Sequence, residues 1–299
     1  MVSIAHLTDP HLPLAAATGR ELMSKRMLGW LSWRLRRWRN HRLECLDAVT
    51  SSIRAASPDA IAITGDLVNI STRAEFTAAR RWLQSLGSPR EVMLVPGNHD
   101  HYTADATSAG LPGLAPWMSA SGNGGDVDFP SVRYLGNVAL IGLDSTYPAP
   151  WTEASGLLGE EQLSRLAAML DDCAAKGLCR VILIHHPPLA ELATSPRKAL
   201  KDAEALRQVV ERHGAEVVLF GHNHLWMHEQ LPTRTGIAHL LAAPSASMAN
   251  GRSKPAAGWQ LLSISRKPGQ WHISVARHSI EKGISGTTII ERLELSNVP

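Results

Sequence analysis

Five short clusters of metal-ligand side chains stand out in this chain of 299 residues: Asp9-Pro10-His11, Gly65-Asp66, Gly97-Asn98-His99-Asp100, His185-His186 and Gly221-His222-Asn223-His224. Two Asp, one Asn and at least four His form an oxygen and nitrogen donor set with no thiolate. Such a set suits Mn, Fe, Zn, Co or Ni better than Ca or Mg. Seven candidate ligands, Asp9, His11, Asp66, Asn98, His185, His222 and His224, are too many for one ion. A pair of ions about 3.5–4 Å apart that share a carboxylate would use them all, and such a pair is the usual clamp for in-line displacement at phosphorus. Each cluster alone is commonplace, and a lone histidine is more often a satisfied core residue. Their weight comes from their order and from what precedes each of them.

Each cluster follows a short apolar, β-branched run. The strand candidates are Ser3 to Leu7, Ala60 to Thr64, Val92 to Val95, Ala139 to Leu143, Val181 to Ile184 and Val217 to Phe220, and all but the fourth end in a cluster. Helical patterns fall between them, at Arg42 to Ala56, Arg73 to Leu86, Gly159 to Ala175 and Lys198 to His213. A strand–helix–strand series of this kind is an α/β fold with at least partly parallel pairing. The carboxyl ends of parallel strands converge on one crevice, which would bring the distant clusters together. Gly65, Gly97 and Gly221 each precede a ligand, where a tight turn or close backbone approach is needed. From Ile237 on, period-two segments at Trp259 to Ser265, Trp271 to Arg277 and Thr287 to Leu295, joined by Lys267-Pro268-Gly269 and Gly283 to Gly286, predict antiparallel strands over about 237–295. The Gly/Pro/Ser-rich stretch from Ser108 to Pro130 predicts a long surface loop. With no repeat and no linker, residues 1–299 are expected to form one domain.

Composition excludes several classes. Hydrophobic residues make up 44% and charged residues 19%, with a net charge of +3, as in an ordinary soluble globular protein and unlike disordered, collagenous or coiled-coil chains. No apolar run reaches the roughly 18 residues that span a bilayer, and the chain opens on a strand-like segment, so neither export nor membrane insertion is expected. Cys45, Cys173 and Cys179 lack metal-type spacing and suit buried, reduced thiols in a cytoplasmic protein. The charge is uneven, because residues 20–42 hold eight Lys/Arg (Arg20, Lys25, Arg26, Arg34, Arg36, Arg37, Arg39 and Arg42) against Glu21 alone. That stretch also carries Trp30, Trp33 and Trp38. Leu28, Leu31, Leu35 and Trp38 recur at helical spacing between arginines, which predicts a basic amphipathic helix. Such a helix either lies at an anionic membrane surface, follows a nucleic-acid backbone, or caps its own domain with a solvated basic face.

The ordered series Asp9-x-His11, Gly65-Asp66, Gly97-Asn98-His99-Asp100, His185 and Gly221-His222-x-His224 resembles the complete signature of the calcineurin-like metallophosphoesterase superfamily. It spans most of the chain. The resemblance implies a four-layer αββα sandwich of two mixed sheets with a dinuclear centre at one edge. It further implies that Asp9, His11, Asp66 and His224 hold one metal, that Asp66, Asn98, His185 and His222 hold the other, and that Asp66 bridges. In such a centre a hydroxide bridging two cations, of Mn, Fe or Zn, attacks phosphorus in line without a protein base. His99 is then the group that protonates or hydrogen-bonds the departing oxygen. Asp100 either orients the His99 ring or makes a turn, and His186 either faces substrate or supports a ligand. Asn69, His6, His101 and Tyr102 lie near ligands without an assigned role.

Departures from sub-patterns narrow the substrate. Asp66 is followed by Leu67-Val68-Asn69-Ile70 and not by the Asp-Arg-Gly element of the protein Ser/Thr phosphatases. The chain continues only about 75 residues beyond His224, in what look like strands, where nucleases of the superfamily usually add a capping domain. Asn98-His99-Asp100-x-Tyr102, His185-His186-Pro187-Pro188 and Ala243-Pro244-Ser245-Ala246 are most similar to the bacterial cyclic-nucleotide and glycerophosphodiester phosphodiesterases. A small anionic phosphodiester or pyrophosphate is therefore the expected substrate. The basic insert also resembles that of the UDP-2,3-diacylglucosamine pyrophosphatases, which adds the alternative of a pyrophosphatase peripheral on the inner membrane face through residues 20–42. A nuclease with salt-dependent binding, and a non-catalytic metal-binding scaffold, complete the alternatives. All seven ligands plus His99 are present, which argues against the scaffold.

Overall fold

Both faces of the early strands are apolar, and the structure shows why. The computed structural model describes residues 1–14, 17–22, 25–123, 127–150, 152–249, 254–267, 269–281 and 286–297; the side chains of Arg20 and Arg36 also fall outside the description. Pro268 and Gly283 of the expected turns, and 124–126 of the expected loop, thus lie outside the described residues. The six expected strands are β1 (Val2–Leu7), β2 (Ala60–Thr64), β3 (Val92–Val95), β5 (Val138–Gly142), β6 (Cys179–Leu183) and β7 (Val217–Phe220). The remaining strands are β4 (Ser131–Leu135), β8 (Met227–Thr233), β9 (Gly236–Ala242), β10 (Gly258–Lys267), β11 (Gln270–Ile280) and β12 (Thr287–Ser296).

They form two mixed sheets ordered β12-β11-β10-β1-β2-β3 and β4-β5-β6-β7-β9-β8. β1, β2 and β3 are parallel neighbours, as are β5, β6, β7 and β9, while β10, β11 and β12 are antiparallel as expected. Alternate residues face opposite layers. Ile4, Ala62, Met93, Leu140, Val181 and Leu219 fill the space between the sheets. Ala5, Ile61, Leu94 and their neighbours pack under helices Leu43–Ala56 and Arg73–Leu86. Ile141, Ile182 and Val218 pack under helices Glu160–Ala175 and Ala203–His213. The result is a helix–sheet–sheet–helix sandwich, whose inner strands must be apolar on both faces. Cys45, Cys173 and Cys179 are free and buried. Among the described residues, no helix is long and apolar enough to cross a membrane.

Three expectations are corrected. The stretch 108–130 is not wholly a surface loop: helical turns at Ala106–Ala109, Leu111–Leu114 and Ala115–Met118 bury Leu114, Trp117 and Met118 in the core beside β3. The helix expected from Lys198 starts at Ala203, because Pro196 opens a short turn, Leu200 pairs with Gly156, and the Asp202 carboxylate is bound to the amides of Leu158 and Gly159. The basic insert is helical from Arg26 to Asn40, as the spacing predicts, but it carries a wide π-type turn at Trp33–Arg37, and the reading in which its apolar face caps its own domain is the one corrected. Leu28, Leu31, Leu35 and Trp38 stay 46–62% exposed, while Arg26 is buried against Asp105 and the carbonyls of Ile70 and Ser71.

Candidate metal centre

The loops after β1, β2, β3, β6 and β7 meet at one edge of the sandwich, and the backbone there is bent into an uncommon shape. Asp9, His11, Asp66, His222 and His224 all have positive φ, between 37° and 67°. Non-glycine residues rarely adopt this left-handed region, and it persists only where the surroundings enforce it, often at functional sites. The enforcement is visible: Asp9 N donates to the Gly65 carbonyl, His11 N to the Asp66 carbonyl, and Gly221 N to the His185 carbonyl. The loops press so closely that a Cβ at Gly221 would run into Thr8 Oγ1, and one at Gly97 into the Asp66 carboxylate. Both glycines were expected for such close approach.

The expected ligands are brought together with their donor atoms converging. Asp9 Oδ1 lies 3.0 Å from His224 Nε2 and 3.8 Å from His11 Nε2. His185 Nε2 lies 3.2 Å from Asn98 Oδ1 and 3.2 Å from His222 Nδ1. Between these groups stands one oxygen, Asp66 Oδ2, 3.8 Å from His11 Nε2 and 3.5 Å from His185 Nε2. Donors held about 2.1 Å from a common ion lie roughly 3.0–3.4 Å apart at right-angled to tetrahedral geometry. The spacing therefore fits metal binding, and among the described residues His222 Nε2 and His224 Nδ1 are buried without a hydrogen-bond partner, which leaves each ring no strong tie other than this cluster. Asp9, His11, Asp66, His185, His222 and His224 are all buried.

Electrostatics points the same way. Burial holds the imidazoles of His11 and His222 well below their ordinary pKa, with neighbouring Arg37 and His41 adding to it at His11 and His186 and His185 at His222. Neutral rings with a lone pair are what a metal requires. Burial, reinforced by the Asp9 and Asp100 carboxylates, pushes Asp66 well above the carboxylate range. Burial alone would raise Asp9 too, but His224 beside it holds it well below. A shared cation would relieve the repulsion between the two carboxylates.

The residues next to the ligands have distinct places. His99 donates its backbone N–H to Asp66 Oδ1 at 2.7 Å, its ring Nδ1 sits 2.6 Å from the Asn69 carbonyl, and its face stacks on Tyr102. Asp100 does not orient that ring. Its Oδ2 accepts from the amides of Asp66 and Gly97 and its Oδ1 from those of Leu67 and Val68, so it fixes the turn that presents Asp66. Asn69 performs the orienting instead. Its own amide is held by Glu75, whose carboxylate also closes the capping box that starts helix Arg73–Leu86. His186 is fully buried behind His222, with Nδ1 on Ser145 Oγ. His6 is a core residue between Thr64 and Gln260, and His101 lies farther out against Thr146.

A cavity of about 430 Å³ opens over the centre, with Arg37, Lys198 and Lys254 among its walls. Arg37 places Nη1 3.2 Å from His99 Nε2 and Nη2 3.2 Å from His11 Nε2, and among the described residues it has no carboxylate within ion-pair distance. His41, also from the insert, is buried beside His11 and His224. Neither Arg37 nor His41 follows a strand, so the pattern that marked the other site residues passes over them. The excess of positive charge in residues 20–42 was the one signal that pointed to Arg37.

The comparisons with known proteins agree with this geometry. The model of the calcineurin-like phosphoesterase family matches residues 2–225. A probable cyclic nucleotide phosphodiesterase of Synechococcus is 26% identical over 230 residues, covering 76% of this chain and 80% of that protein. The glycerophosphodiester phosphodiesterase GpdQ of Enterobacter lignolyticus is 31% identical over 172 residues, 56% of each chain. A dimetal phosphatase from Danio rerio shares the fold with a TM-score of 0.63 at 13% identity, covering 99% of both chains. With the family model matched over most of its length and the fold shared from end to end, the chain belongs to the calcineurin-like phosphoesterase family.

Proposed function

We propose that the protein is a dinuclear metal-dependent phosphodiesterase. The observation that carries this reading is the single oxygen Asp66 Oδ2, placed between the Asp9, His11, His224 group and the Asn98, His185, His222 group. Two bound cations, of Mn, Fe or Zn, would polarise a phosphoryl oxygen and supply a nucleophilic water at neutral pH. The chain's own residues do the rest. Arg37, Lys198 and Lys254 give the cavity the positive charge that an anionic phosphodiester needs, and the Arg37 fork suits two phosphoryl oxygens at once. His99, fixed through Nδ1 by the Asn69 carbonyl, presents Nε2 to the cavity, where it holds or passes the proton of the departing oxygen. The names of the two relatives, which are phosphodiesterases, support a diester over a monoester.

The test is hydrolysis of bis(p-nitrophenyl) phosphate and p-nitrophenyl phosphate by protein stripped of metal and reloaded with manganese, with Asn98→Ala and His99→Ala alongside. Metal-dependent diester cleavage that falls at least about 100-fold in each variant is expected. Diester cleavage that persists without metal, or is indifferent to both substitutions, would overturn the reading.

One observation favours a second reading, in which the substrate is presented at a lipid surface, as a lipid-linked pyrophosphate would be. Met27, Leu28, Leu31, Leu35 and Trp38 form an exposed apolar stripe beside Arg34 and Arg39, on the same insert that lines the cavity through Arg37, Asn40 and His41. Apolar anchors with arginines suit an anionic membrane interface. Flotation with anionic vesicles, lost in a Leu31→Ser, Leu35→Ser, Trp38→Ser variant, is the expected result; no flotation of the parent protein would remove this reading.

A further inference from the structure

We propose that His41 is an additional ligand of the first metal, delivered to it by the basic insert. The inference rests on the metal-pair reading above and extends it to a residue outside the recognised motifs. His41 closes the insert with extended backbone, and its surroundings fix it on both sides. Its N–H donates to the Arg37 carbonyl, the next amide donates to the Ser247 carbonyl, and the Ala249 amide donates to the Asn40 carbonyl, so the end of the insert is stitched to the segment after β9. The ring is 6% exposed and Trp33 stacks on it at a 17° interplanar angle.

Held in this way, the ring has one nitrogen for the protein and one for the cavity. Nδ1 is tied to Ser247 Oγ at 2.9 Å, with Ser245 Oγ at 3.4 Å. Ser245 Oγ in turn donates to the Asp9 carbonyl at 2.6 Å. A hydrogen-bond acceptor on the far nitrogen fixes the tautomer and direction of a ligating imidazole, and a serine oxygen can act as one. The ring meets His11, with centroids 4.5 Å apart at 68°, and His224, with centroids 5.7 Å apart at 86°. One ring nitrogen from each of His11, His41 and His224 lies within 4.8 Å of the others. A neutral imidazole wedged between two others, with no carboxylate within ion-pair distance among the described residues, gains little from that position unless a cation joins them.

The consequence is an unequal pair. His41 would add a fifth donor to Asp9, His11, Asp66 and His224 at the first ion, against Asp66, Asn98, His185 and His222 at the second, which would stay more open. The first ion would then be the tightly held one, and the substrate's oxygen would bind through the second. The insert would be part of the metal site as well as of its rim, with Trp33 as the residue that positions His41.

The test reads the metal and not turnover. Metal-free wild-type protein loaded with one equivalent of zinc is studied by X-ray absorption, which counts coordinated imidazoles. Three imidazoles are expected if His41 joins His11 and His224; two would overturn the inference while leaving the metal pair intact. In parallel, cobalt(II) titrations compare wild type, His41→Ala and His41→Gly, with circular dichroism checking the fold. The tighter site is expected to weaken at least about tenfold in both variants, and added imidazole to restore its absorption spectrum in His41→Gly. Unchanged affinity and spectrum in folded His41→Ala would also overturn the assignment. A wild type that takes up no ions would instead remove the dinuclear reading on which it rests.

Discussion

Asp100 is buried, and every hydrogen bond given to its carboxylate comes from backbone: four amides, of Asp66, Leu67, Val68 and Gly97, converge on its two oxygens. Charge-assisted bonds of this kind are worth about 1.5–3 kcal/mol each when buried donors are left unmade. Asp100→Ala is expected to destabilise the protein by roughly 3 kcal/mol or more and to weaken metal retention, because the turn carrying Asp66 loses its anchor; urea denaturation and metal content check both. His6 carries a second prediction. Burial lowers its pKa from 6.5 to about 3, against a smaller raising effect of Asp9. As pH falls, the unfolded chain takes up this proton before the folded one does, so the stability His6 supports is present above about pH 6.5 and is lost on the way down to about 3. His6→Gln is expected to flatten the loss of stability between pH 7 and 5; an unchanged slope would contradict the assignment. At this scale the sequence was informative wherever a ligand follows a strand. Asp9, Asp66, Asn98, His185 and His222 are of that kind. It was silent on His41 and marked Arg37 only through the excess charge of residues 20–42, because the apolar period of the insert marks Leu28, Leu31 and Leu35, which turn outward, and not the polar side chains that turn inward.

The strands were legible for a physical reason: in a sandwich with helices outside, both faces of β1, β2, β3, β5, β6 and β7 are buried, so each reads as an unbroken apolar run. The edge strands β4 and β8 do not share that property. β4 and β8 include exposed positions such as Tyr134 and Glu229, and neither stands out from loop sequence. Segment 198–202 was read as helix because its composition suits one, but its bonds to Gly156, Leu158 and Gly159 outweigh propensity and leave Lys198 at the cavity wall. The insert shows the same competition. Its leucines have helical spacing, yet the buried contacts of Arg26, Arg37 and His41 set its orientation and turn Leu28, Leu31 and Leu35 outward. Exposed side chains contribute little to folding, so replacing Leu31, Leu35 and Trp38 by Ser is expected to change stability by no more than about 0.5 kcal/mol at each site. A loss several times larger in thermal denaturation would mean that the stripe is covered in solution.

The whole molecule places a strained loop cluster at the edge of a deep core, and it is the metal pair that would offset the strain. Metal binding to the folded chain alone is folding free energy, and two ions at about 100 times their Kd each add roughly 2.7 kcal/mol. Chelation is therefore expected to lower Tm by on the order of 10 °C, with manganese restoring it; a Tm indifferent to chelator would mean that the left-handed loops stand without ions. Asp66 Oδ2 is the oxygen that would join two metals into one centre. The most direct test is an electron paramagnetic resonance titration of metal-free protein with manganese(II), wild type against Asp66→Ala. Two ions per wild-type chain with the signal of a magnetically coupled pair, and loss of that coupling in the variant, are expected. Two uncoupled ions, a single ion, or coupling that survives in Asp66→Ala would contradict this assignment.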